Sequence, residues 1–156
     1  LINAIYPEAI SSDYFNLLSD QINALSTRQR VRLCGDFLPD EESFRLLSEC
    51  DLIVFPYEDS GESASAAARH GIASGRPVAT TPLPIFSDIK GATFRTAAVD
   101  SEAFLPSLEE LISMLRKGGD IVDNQALATR RWRQSHSFRS VAQRLYGMIC
   151  AVCAEN

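Results

Sequence analysis

Residues 51–81 decide the reading: Asp51-Leu-Ile-Val-Phe-Pro-Tyr-Glu-Asp-Ser-Gly-Glu-Ser-Ala-Ser-Ala-Ala-Ala-Arg-His-Gly-Ile-Ala-Ser-Gly-Arg-Pro-Val-Ala-Thr-Thr81. They read as strand, loop, helix and strand. Leu52 to Phe55 are consecutive apolar residues, too few for a helix and without alternation, as in a strand covered on both faces. Pro56 stops that strand, and Tyr57 to Glu62 is a polar loop. Ser63 to Ser74 is rich in alanine and predicts a helix. Gly75 supplies a left-handed cap, Pro77 cannot continue the helix, and 77–80 predicts a second buried strand.

The turn from strand to helix is where chemistry is expected. The first amides of a helix have no partner inside it, and the helix dipole favours negative charge there. Ser63, Ala64, Ser65 and Ala66 are small, so a phosphate can approach these amides, with two serine hydroxyls as further donors. Glu62 repels a phosphate and is better used to accept hydrogen bonds from hydroxyls. Phosphate plus hydroxyl acceptor describes a nucleotide sugar. The same residues also suit an ordinary helix cap by Ser63 or Glu62 followed by alanine packing.

The stretch resembles the C-terminal, donor-binding half of retaining GT-B glycosyltransferases of the "glycosyl transferases group one" type. In that family a strand ending in Pro-Ser or Pro-Tyr precedes a glutamate, and a helix then closes as Glu-Ala-Met-Ala-x-Gly-x-Pro-Val. The matching run here is His70-Gly71-Ile72-Ala73-Ser74-Gly75-Arg76-Pro77-Val78. The family's two glutamates stand eight positions apart, which places the first at Glu62 and the second at His70. The resemblance implies that Glu62 contacts hydroxyls of the donor sugar and is the catalytic residue. It implies that amides near Ser65 and Ala66 hold the diphosphate, with Ser63 beside them. His70 replaces the carboxylate that binds the ribose, and offers a single hydrogen bond in its place. By the same resemblance, Val31-x-Leu33-x-Gly35-x-x-x-Pro39 lies near the nucleotide base, with backbone contacts at Phe37 and Leu38. That loop also reads as a plain lead-in to a helix capped at Asp40.

The implied whole is an α/β, Rossmann-like three-layer sandwich with a parallel sheet, the C-terminal half of a GT-B fold, occupying 1–156 as one domain. Strands near 1–5, 31–34, 52–55 and 77–80, with a short one at 93–95, alternate with helices, which by itself calls for a parallel sheet. A chain that opens inside a strand is expected to be a fragment, lacking an acceptor domain and a first strand-helix unit whose loop carries basic residues for the diphosphate. The implied reaction transfers a sugar from a UDP- or GDP-linked donor to an acceptor hydroxyl with retention and without a metal. The fragment alone is expected to be inactive. The acceptor is a glycan or lipid-linked sugar bound by the absent domain, and peripheral membrane association of the full protein is compatible with this. The alternatives are a non-catalytic GT-B-like interaction module, to which His70 points, and a nucleotide-binding regulator of another doubly wound family.

Length and composition set bounds. The 156 residues suffice for a core, with 46% apolar and 22% charged residues. A net charge of −5 argues against a general nucleic-acid surface. No secretory pattern or membrane-spanning run is legible. Cys34 and Cys50 read as buried free thiols, and Cys150 and Cys153 as core residues of an apolar helix rather than metal ligands. Unpaired thiols suit a cytoplasmic location.

Elsewhere, a helix capped at Ser11 or Ser12 should bury Tyr14, Leu17, Leu18, Ile22 and Leu25. A helix over 41–50 should turn Phe44, Leu47 and Cys50 inward. The loop 82–89 either closes over a donor, with Thr80 or Thr81 adding hydroxyls to phosphate, or tucks Ile85 and Phe86 into the core. A helical region opens at Asp100 and should restart at Pro106, burying Leu108, Leu111, Ile112 and Leu115. Arg130, Arg131 and Arg133 near the end of a helix over 121–135 suit its dipole. A last helix capped by Ser137 carries the stripe Phe138, Val141, Leu145, Met148, Ile149 and Val152. By resemblance it reaches towards another domain, leaving that surface exposed here or paired with another copy.

Overall fold

The structure is a computed structural model and describes residues 9–154. The predicted strand at 1–5 lies outside them. The chain divides into two compact units, Leu1–Ser43 and Phe44–Asn156.

In the first unit, α1 spans Ala9–Ala24. Ser11 and Ser12 are inside it and do not cap it. Its half-buried face is Phe15, Leu18 and Ile22. Tyr14, Leu17 and Leu25, expected to be buried, are exposed. The predicted strand 31–34 is reduced to a single bridge residue, Cys34, although Val31, Arg32 and Leu33 keep the expected alternation of exposure. The helix α2, Asp40–Ser48, has only residues 40–43 in this unit and opens with three acidic residues at its positive end.

The second unit holds a three-stranded parallel sheet of β1 (Ile53–Phe55), β2 (Val78–Thr80) and β3 (Phe94–Arg95), in that spatial order. Ile53 pairs with Val78 and Phe55 with Thr80. Side chains alternate along each strand, so these four share one face. The crossover helix α3, Ala66–Ala73, covers it with Ala68 and Ile72, both wholly buried. Gly71 permits the close approach: a Cβ there would lie 3.1 Å from the Phe55 ring and 3.3 Å from Val78 Cγ2. Ile85, Phe86, Ile89 and Ala92 complete this core, flanked by Leu47, Cys50, Tyr57 and Trp132. The loop 82–89 therefore packs inward through a turn of 3-10 helix at Pro84–Phe86. Val54 lines a cleft on the other face with Leu108, Ile112 and Leu115 of α4, Ser101–Lys117.

Asp100 caps α4, accepting from the Ala103 amide at 2.9 Å. The helix runs through Pro106 without the expected restart. Proline there removes one backbone bond, and the packing of Leu111 and its neighbours carries the helix past it. Gly118 (φ +68°) and Gly119 (φ +110°) end it in a conformation only glycine adopts readily. The next helix, α5, spans Asp120–Ser135. Thr129 donates from it to the Ala92 carbonyl at 3.1 Å. The last helix, α6, spans Phe138–Ala154 and buries none of its residues. Ser137 caps it as predicted, accepting from the Ser140 amide at 3.2 Å. Its apolar stripe is exposed, Phe138 at 96%. Cys150 and Cys153 are exposed too, which corrects their expected place in the core; Cys34 and Cys50 are half-buried. Among the described residues no helix is long and apolar enough to cross a membrane.

One core atom is anomalous. Thr80 is wholly buried, and its hydroxyl has no hydrogen-bond partner. An unsatisfied buried hydroxyl costs about 1–3 kcal/mol. Thr80→Val keeps the shape and removes the group, so it is expected to stabilise the protein by about 1 kcal/mol. Urea titration checks this; a lowered midpoint would show that the hydroxyl has a bonding role.

Candidate functional site

The start of α3 lies just past the carboxyl end of β1, the edge at which open parallel sheets bind ligands. Its cap is Ser65, two or three residues later than the sequence suggests. Ser65 adopts extended backbone (φ −99°, ψ 112°), and its hydroxyl oxygen accepts from the Ala68 amide at 3.1 Å. Residues 62–64 thus belong to the loop, where Ser60 accepts from the Glu62 amide at 3.2 Å. The amides of Ala66 and Ala67, in the first turn, have no intrahelical acceptor. Both residues are exposed. Three donor-side features therefore meet here: two free amides, small side chains beside them, and the positive end of a helix dipole. Glu62 and Ser63 are exposed as well, so the place is an open surface and not an enclosed pocket.

Two residues passed over in the sequence frame it. The Tyr57 hydroxyl is 3.5 Å from Ser65 Oγ, and its ring packs on Phe86 with centroids 5.2 Å apart. Arg69 donates from Nη1 to the Ser65 carbonyl at 2.9 Å, and its other nitrogen pairs with Asp88. A guanidinium is thereby anchored one turn above the free amides. Its signal was present: Arg69 is the only cation in the alanine-rich run before His70. Its partner, nineteen positions away on the folded-in loop, was not legible. The pair is part-exposed, so its contribution to stability is within about 1 kcal/mol.

The other candidates are placed differently. Thr81 is buried; its hydroxyl donates to the Tyr57 carbonyl at 2.7 Å. That hydrogen braces the loop and is not offered to a phosphate. Thr80, its alternative, has a wholly buried hydroxyl. His70 is exposed on α3, its ring tilted against Phe44 with centroids 5.2 Å apart. Phe37 and Leu38 belong to the first unit, where Phe37 is 88% exposed. The structure thus gathers Tyr57, Ser65, Ala66 and Arg69, with Glu62 and Ser63 on the adjoining loop. The arrangement can hold an anion by amides and a helix end, with a carboxylate nearby to accept from hydroxyls.

No family model matches the chain, and no curated protein does.

Proposed function

We propose that the chain is the donor-binding part of a retaining glycosyltransferase, a Rossmann-like half of a GT-B fold that takes a UDP- or GDP-linked sugar. The observation that carries this reading is the pair of unpartnered amides at Ala66 and Ala67, at the carboxyl edge of a parallel sheet, beside Glu62. Amides and helix dipole would hold the diphosphate and stabilise the charge that develops as it leaves, with Arg69 close by. Glu62 would accept hydrogen bonds from the sugar's hydroxyls and orient its anomeric carbon towards an acceptor hydroxyl. No step calls for a metal. The acceptor, a glycan or lipid-linked sugar, would be bound by a further domain, and free thiols suit a cytoplasmic setting.

A non-catalytic module with the same fold is the second reading. One observation favours it: the contact with Phe44 gives His70 a packing role at the position where the ribose-binding carboxylate is expected.

Calorimetry with UDP, GDP and their hexose conjugates separates the two. The first reading expects binding of one nucleotide; no heat from any of the four would favour the second. Glu62→Ala is expected to weaken the nucleotide sugar about tenfold, near 1.4 kcal/mol, and leave the free nucleotide unchanged. Equal weakening of both would remove the role given to Glu62. His70→Glu is expected to tighten nucleotide binding; unchanged affinity would mean that the position does not face the ribose.

A further inference from the structure

We propose that the opposite edge of the sheet carries an anion site built from Arg76, Arg130 and Arg133, which takes a phosphate-type oxyanion. The three side chains line a cavity of about 150 Å³ between the turn ahead of β2, the start of β3 and one face of α5. None of its lining residues is acidic. None of the three guanidiniums forms an ion pair with a described residue, unlike Arg45 with Glu49 and Arg69 with Asp88. All three residues are exposed, so water and salt screen their mutual repulsion, and it is their convergence on one cavity in a chain with twenty acidic and fifteen basic residues that marks the place. Residues 124–154 hold five of the fifteen basic residues and none of the twenty acidic ones. A bound anion supplies the counter-charge that the residues around the cavity lack.

The cavity is held by the fold. Arg76 donates from Nε to the Ser48 carbonyl at 2.6 Å. Gly75 turns with φ +83°, and a Cβ there would come within 2.6 Å of Arg133 Nη1. The positive φ is what calls for glycine here; the Arg133 side chain is flexible and could give way to a Cβ. Thr129 and Gln125 fix α5 to the 91–92 turn through the Ala92 and Gly91 carbonyls. Phe94 and Val122 form an apolar part of the wall.

Guanidinium forks match tetrahedral and planar oxyanions in bidentate fashion. The volume holds roughly five waters at about 30 Å³ each, enough for one phosphate group. The site precedes β2, whereas the start of α3 follows β1. The two lie at opposite ends of the strands, and this inference stands apart from the glycosyltransferase reading.

The test is calorimetric titration of the whole chain with inorganic phosphate at constant ionic strength, sodium chloride being the control. Saturable phosphate binding is expected, weakened at least about tenfold in Arg130→Gln/Arg133→Gln and retained in Ala66→Asp. A hexose phosphate is titrated in parallel. Tighter binding than inorganic phosphate would identify a phosphorylated sugar as the source, and equal binding would identify free phosphate. The proposal is overturned if phosphate acts no differently from chloride, or if the double variant keeps full affinity. Loss in Ala66→Asp with retention in the arginine variant would put phosphate at α3 and overturn it equally. Circular dichroism verifies folding. Should the double variant not fold, Arg133→Lys decides: it keeps the charge and loses the fork, so weaker phosphate binding supports the site and unchanged binding ends it.

Discussion

Replacing Phe86 with alanine is expected to lower the unfolding free energy by about 3–5 kcal/mol. The ring is 1% exposed and packs on Tyr57, in one cluster with Ile53, Ile72, Val78 and Ile89. Removing it leaves a cavity between α3, the sheet and the 82–89 segment, and each wall is held by backbone bonding that resists collapse. Domains are stable by only about 5–15 kcal/mol, so this one change uses a large part of the margin. Denaturant titration by tryptophan fluorescence and circular dichroism reads the shift in midpoint at constant slope. Trp132 borders the same cluster and reports on it. A loss below about 1 kcal/mol would mean that the segment is a loose cover rather than core.

The second large effect separates stability from binding. Ala66→Asp puts a carboxylate in the first turn of α3. The helix dipole favours that charge by about 0.3–1 kcal/mol, so the melting temperature should hold or rise. A diphosphate at the same amides would meet a like charge at close range. At about 4 Å and an effective dielectric near 20 the repulsion is about 4 kcal/mol, reduced by salt. Nucleotide affinity is expected to fall about a hundredfold, near 2.7 kcal/mol. Calorimetry and a thermal melt on the same sample check both signs. Unchanged affinity would remove the start of α3 as the anion cradle. A falling melting temperature would mean that the substitution disturbs the Ser65 cap.

The short buried strands, the alanine-rich helix and its glycine stop were legible because they depend on neighbouring residues. Four apolar residues ahead of a proline have few other uses, and Gly75 does adopt positive φ. The sequence offers Ser63 or Glu62 as the cap, and the structure uses Ser65, because several polar residues there can cap and position along the strand exit chooses between them. Burial was harder to read. The stripes of α1 and α6 are amphipathic by spacing, yet spacing does not say whether anything covers them, and α6 buries none of its residues. Pro106 predicts a restart because its missing amide is a local cost, whereas the helix is held by packing beyond it.

From local sequence came the strand-helix-strand run from Ile53 to Thr80, the parallel pairing that this run requires, and a helix start bearing small residues after a carboxylate, but not a strand at 31–34. Tertiary structure decided which hydroxyls remain available. It turned Thr81 onto the Tyr57 carbonyl, buried Thr80, brought Asp88 to Arg69, and set three arginines around one cavity without a carboxylate. The physical reason is that helix caps and strand runs are fixed within a few residues of chain, while hydrogen-bond partners and charge neighbours are assigned only when distant segments meet.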